Sequence, residues 1–239
     1  MNYNNPEFDR AMSSSSFGTS LSVPALMRKV YVWMTLALVI TGLTSYGVAT
    51  SPGIMQMIFG NQIVFWSLII AEFALVIGIS AAINRLSIST ATLMFVLYSV
   101  INGATLSSIF LLYTMSSIAS VFFITAATFG VMSLIGIVTK TDLSGMGKML
   151  MMALIGLIIA TIVNIFMKSS GLAMILNYAG VLIFVALTAY DTQKIKNMLT
   201  MAPSDENGQK LALLGALSLY LDFINLFIYL LRTLGDRRD

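Results

Sequence analysis

The 239-residue chain contains no cysteine and no histidine, and only 10% of its residues are charged. Without cysteine there is no disulfide, no thiolate nucleophile and no thiolate metal site, and the redox compartment cannot be read. Without histidine the commonest metal ligand and the commonest general base are both missing. A soluble domain carries about 25% charged residues, so most of this surface cannot face water. What the chain has instead is apolar: 58% of its residues are hydrophobic, and the mean hydropathy is +0.90. The net charge of +3 matters less than where the basic residues fall. Nothing in this pattern suggests a nucleic-acid partner. The solvent for most of the chain is lipid. A cleavable signal peptide is not expected, because the first apolar run starts late and is too long.

Residues 1–22, with Ser13 to Ser16 at their centre, read as a disordered polar tail. Seven apolar segments follow, at Val30–Ala49, Ile63–Ile83, Ser89–Tyr113, Ile118–Val138, Met149–Met167, Leu172–Tyr190 and Leu211–Leu231. Each is near the roughly 20 residues a helix needs to cross a bilayer, and none alternates as a barrel strand would. The expected fold is all-α and polytopic: a transmembrane domain over 23–234, then a short tail at 235–239. Arg10, Arg28 and Lys29 precede the first span, and Arg85, Lys140, Lys148, Lys194, Lys196 and Lys210 fall in alternate connections. That bias predicts a cytoplasmic N-terminus. Seven spans then carry Arg232, Arg237 and Arg238 to the outer side, against the charge rule. Either the last segment is re-entrant, or its burial in the bundle overrides the rule; its length favours a full crossing.

Ionisable residues at membrane depth cost about 2.5–3.5 kcal/mol each to insert, so they are functional candidates by default. Glu72 lies mid-way along the second segment and Asp222 at the centre of the seventh. Asp191 ends the apolar stretch of the sixth, Arg232 closes the seventh and Arg85 closes the second. Both arginines also serve as snorkelling ends and orientation signals. Asp191 and Asp222 stand equally far from the polar turn Ser204–Gln209, which places them at similar depth in an antiparallel pair. Two carboxylates there cannot both ionise cheaply, so they are expected to share a proton and titrate as a unit. Asn102, Asn164 and Asn177 read as interhelical hydrogen-bond partners. The 17 methionines read as apolar filler.

Ala189-Tyr190-Asp191-Thr192-Gln193-Lys194-Ile195 and Leu221-Asp222-Phe223-Ile224-Asn225-Leu226-Phe227-Ile228 resemble the two signature runs of the transmembrane Bax inhibitor motif family. Asn102-Gly103-Ala104-Thr105-Leu106-Ser107 and Thr139-Lys140-Thr141-Asp142-Leu143-Ser144 are similar to its third- and fourth-segment motifs. The resemblance runs from about Leu26 to Leu234. It implies seven helices with the last wrapped by the other six, in a bacterial-type member of the plasma membrane. It also implies a proton-sensitive calcium leak with Asp191 and Asp222 as the sensor. Glu72 and Arg232 match a glutamate and an arginine of bacterial relatives; Arg85 matches only after a shift of two residues.

The expected function is therefore a pH-gated calcium leak and not an enzyme. Its partners are the bilayer, protons and calcium as the transported ion, and no cofactor is held. Calcium takes 6–8 oxygen ligands in a tight site. Asp191, Asp222 and Glu72 are too few for that and suit a weak, transient contact. The alternative is a non-conducting regulator that binds another membrane protein, such as a protease, through Met1–Ser22. An intramembrane aspartyl protease would need Gly-x-Gly before its second aspartate, where this chain has Leu219-Tyr220-Leu221.

Overall fold

The computed structural model describes residues 22–203 and 205–238. The polar tail lies outside them apart from Ser22, as do Ser204 and Asp239. Seven helices are long and apolar enough to cross a membrane. They are α1 (Val23–Ala49), α3 (Gln62–Ala82), α4 (Ile88–Leu106, continued by the short α5, Ile109–Leu112), α6 (Met115–Val138), α7 (Ser144–Met167), α8 (Ser170–Thr200) and α9 (Glu206–Leu234). Between the first two lies α2 (Pro52–Phe59). Among the described residues there is no strand, only an isolated bridge between Tyr113 and Arg237. The chain is an integral membrane protein.

Local chemistry marks the helix ends. Pro24 and Pro52 stand at the first turns of α1 and α2, where a missing N–H costs nothing. Asn61, Ser87, Thr114, Ser169 and Asp205 accept backbone N–H groups at the starts of α3, α4, α6, α8 and α9. Lys168, in the left-handed region at φ 52°, ends α7, and its N–H reaches Asn164 O at 2.7 Å. That one residue turns the chain into α8 after a two-residue connection.

Two boundaries differ from the hydropathy reading. The sixth span does not stop near Tyr190, because α8 continues to Thr200 with Ile195 and Leu199 buried. Its amphipathic last turns pack against the bundle after the apolar run has ended, which places Asp191 inside a helix. The third span breaks at Ser107, whose hydroxyl bonds back to Ala104 O at 2.6 Å and competes with the helical ladder.

The last helix is the central one. Two-thirds (67%) of the residues in its membrane window are buried, against 6–33% in the other six. It packs on α8, α1, α6 and α4 and lightly on α3, while α7 lies one layer out, packed along α8. Close approach between neighbours relies on glycine. At Gly103 a Cβ would meet Thr41 O at 2.6 Å and Thr44 Cβ at 2.8 Å, so α4 and α1 touch there through backbone.

Polar contacts divide the two ends. At one, Lys29 Nζ donates to Gln209 Oε1 at 3.1 Å and the Ile88 N–H to Glu206 Oε1 at 3.0 Å. There too Gln193 holds the α6–α7 connection, donating to Thr141 O and accepting from the Leu143 N–H, both at 2.8 Å. At the other end the C-terminal residues are clasped, not free. Thr114 N–H donates to Asp236 O, Arg238 N–H to Leu112 O, and the Arg238 guanidinium to Phe110 O at 2.9 Å. The last helix thus runs the length of the bundle and ends on the face opposite its start. Reporters fused before Met1 and after Asp239 are expected on opposite sides of the membrane; the same side for both would make the last segment re-entrant.

Candidate functional site in the bundle interior

The antiparallel packing of α8 and α9 sets Asp191 and Asp222 side by side. Both line the same cavity, close enough for each carboxyl group to feel the other. Ser218, one turn before Asp222 and on its face, donates to Asp191 Oδ2 at 3.0 Å. Asp222 is only 5% exposed, and no N–H or O–H reaches its Oδ2. Lys194, one turn beyond Asp191, is the basic residue whose charge is felt by both aspartates. Its ammonium stands 5.8 Å from the centre of the Tyr190 ring. That ring fills the space a side chain at Gly147 of α7 would need.

Glu72 belongs to a second polar cluster. Thr105 Oγ1 donates to its Oε1 at 2.6 Å, and Asn102 Nδ2 approaches Oε2 at 3.5 Å, long for a hydrogen bond. Asn102 Oδ1 accepts from the Tyr220 hydroxyl at 2.9 Å, which in turn lies 2.7 Å from Thr41 Oγ1. Thr41 also reaches Ser99 O at 3.0 Å. Two hydroxyl hydrogens thus serve three contacts, so with Tyr220 donating to Asn102, Thr41 divides one hydrogen between two oxygens. Tyr220 has no exposure, and the edges or faces of Phe95 and Tyr98 meet it at 5.8 and 5.7 Å.

A cavity of about 770 Å³ joins the two clusters. Glu72, Asp191, Asp222 and Lys194 all line it, with Ser218, Asn225 and the rings of Tyr98, Tyr190 and Tyr229. Phe184 stacks on Tyr229 at 5.7 Å at one edge of the cavity, and the Arg232 guanidinium lies 5.8 Å from the Tyr229 ring.

Arg232 does not meet Glu72. Glu72 is held level with Tyr220 through Asn102, and Arg232 lies twelve residues further along α9, about 18 Å at 1.5 Å per residue. Arg85 is exposed beyond the end of α3 and does not line the cavity. Among the described residues no three acidic side chains converge as a metal-ligand set. Lys194, Ser218, Tyr220, Thr41 and Thr105 escaped the sequence reading. Ser218 was within reach of it, four residues before Asp222 on one helical face. The Thr41–Tyr220 pair was not, since 179 residues separate them.

The helical membrane fold agrees with comparisons to known proteins. The family model described as "Inhibitor of apoptosis-promoting Bax1" matches residues 23–239. The chain belongs to that family. Within the Bax inhibitor motif family it is similar to "Inner membrane protein YbhL" of Escherichia coli K12, 51% identical over 89% of this chain and 92% of the relative. A Borreliella burgdorferi protein is 47% identical with the same coverage. An "Uncharacterized membrane protein" of Streptococcus pyogenes serotype M1 is 38% identical over 76% of this chain and 79% of its own.

Tyr220→Phe removes the donor to Asn102 Oδ1 and leaves a buried acceptor unpaired. The expected cost is about 1–3 kcal/mol, read by thermal or denaturant unfolding in micelles. Wild-type stability in this variant would mean that the cluster does not hold α1, α4 and α9 together.

Proposed function

We propose that the chain is a proton-sensitive calcium leak of the bacterial inner membrane, with its N-terminus in the cytoplasm. One observation carries the reading: a single cavity inside the bundle is lined by three carboxylates, two of them face to face across α8 and α9. Carboxylates with few other partners offer a hard cation oxygen ligands without a cage, which allows entry and release. The E. coli relative's name, an inner membrane protein, supports the membrane, and the basic residues of alternate connections support the orientation.

The aspartate pair works as the sensor. Side by side the two carboxyls hold one proton between them. Losing it places two like charges in a poorly hydrated site, which either separates α8 from α9 or draws in a cation. Lys194 is the counter-charge at hand. This is a local electrostatic event acting on a bundle with two arrangements. Glu72, across the same cavity and held by Thr105, is the further oxygen donor on the ion's route.

Proteolysis is a poorer reading of the same aspartates. Leu219 and Tyr220 are fully buried where a protease needs open backbone beside its second aspartate. No edge is left for a peptide strand.

Calcium flux into proteoliposomes across a pH series tests the proposal. Asp191→Asn and Asp222→Asn should each flatten the pH response, and the double variant should add little to either. Glu72→Gln should lower flux severalfold in a folded protein. Independent, additive effects of the two aspartates would contradict a paired sensor, and unaltered flux in Glu72→Gln would make that residue structural.

A further inference from the structure

We infer that the cavity also binds a lipid-borne ammonium, a single-chain amphiphile with a protonated amine, admitted sideways between α3 and α7. The opening follows from the packing. α7 is packed along α8, α3 is packed chiefly on α4 and α2, and the two do not pack on each other. Phe73 of α3 and Met151 and Ile158 of α7 line the cavity, yet they are 66%, 52% and 50% exposed. Residues that face both the cavity and the outside mark its mouth. At this depth the outside is acyl chain, and the mouth is apolar, so a hydrocarbon tail crosses it without cost.

The interior is of opposite character. Three carboxyl groups line it, two of them sharing one proton, against one ammonium, that of Lys194, which leaves one negative charge in excess. Asp222 supplies the observation that asks for a ligand: it is 95% buried, lines the cavity, and its Oδ2 has no donor. An unpaired buried acceptor is costly, and an N–H-bearing cation satisfies it with charge assistance. Tyr98, Tyr190 and Tyr229 add ring faces of the kind that hold ammonium groups. The volume of about 770 Å³ suits a head group and the first part of a chain. An anionic head would meet repulsion, and a neutral head would leave the charge unanswered. This site does not require that the protein conduct, so binding and leak can fail separately.

The test is equilibrium binding of tetradecylamine to the full chain in zwitterionic nanodiscs, read by native mass spectrometry and corrected with empty discs. Tetradecanol and ethylamine are the matched controls for charge and chain. The expected result is saturable binding of one amine per chain, about tenfold or more tighter than either control. Asp222→Asn should abolish that preference, and Ile158→Trp should weaken binding by filling the mouth. Should Asp222→Asn fail to fold, Asp191→Asn carries the same expectation. Equal binding of amine and alcohol overturns the ammonium site. Equal binding of ethylamine reduces it to a small-cation site and overturns the lipid-borne ligand. Full affinity in Ile158→Trp overturns the lateral route, and full affinity in both aspartate variants leaves only adsorption to the surface.

Discussion

Asp222 sits near the middle of the helix that lipid touches least, and most of what surrounds it follows from making a carboxyl tolerable at that depth. Insertion scales put its cost at about 2.5–3.5 kcal/mol, and no basic side chain among the described residues forms an ion pair with it. The bundle answers with a stripe on one face of α9: Ser218, Asp222, Asn225 and Tyr229, spaced by four, three and four residues, all line the cavity. Across it α8 supplies Asp191, held by the Ser218 hydroxyl. The rest of α9 is sheathed by α8, α1, α6 and α4, so that this stripe is its polar outlet.

On another face of the same helix, Tyr220 closes a dry cluster with Thr41, Asn102 and Ser99 O. The two faces differ in kind. The Tyr220 side is hydrogen-bonded, close-packed by aromatic rings and bridges three helices. The Asp222 side is hollow and under-satisfied. Asn102 joins them, since its amide touches both Tyr220 and Glu72.

Much of the fold was legible because lipid is a restrictive solvent that demands long apolar helices, and among the described residues seven are long and apolar enough to cross. The depth match of Asp191 and Asp222 was legible as well, since an antiparallel pair folds equal distances onto one level. Hydropathy could not show that α8 runs on to Thr200, because its last turns are held by packing of Ile195 and Leu199 and not by lipid. Nor could it show the break at Ser107, set by a local side-chain bond to Ala104 O, or the clasp of Asp236 and Arg238 on Phe110, Leu112 and Thr114, made by hydrogen bonds between distant residues. For the candidate site, the three carboxylates were visible as costly residues, but their basic neighbour was not. Arg85 and Arg232 stand out by sequence position, whereas Lys194 faces the cavity through one turn of helix. The Glu72 cluster shows the same limit, since its members come from four helices.

The account turns on Asp191 and Asp222 holding one proton between them. Infrared difference spectroscopy of the carboxylic C=O stretch across a pH titration, with each aspartate replaced by asparagine in turn, measures this most directly. The account predicts one protonated-carboxyl signal that belongs to both residues, with its frequency and titration altered by either substitution. Two signals, each removed by one substitution and indifferent to the other, would contradict it.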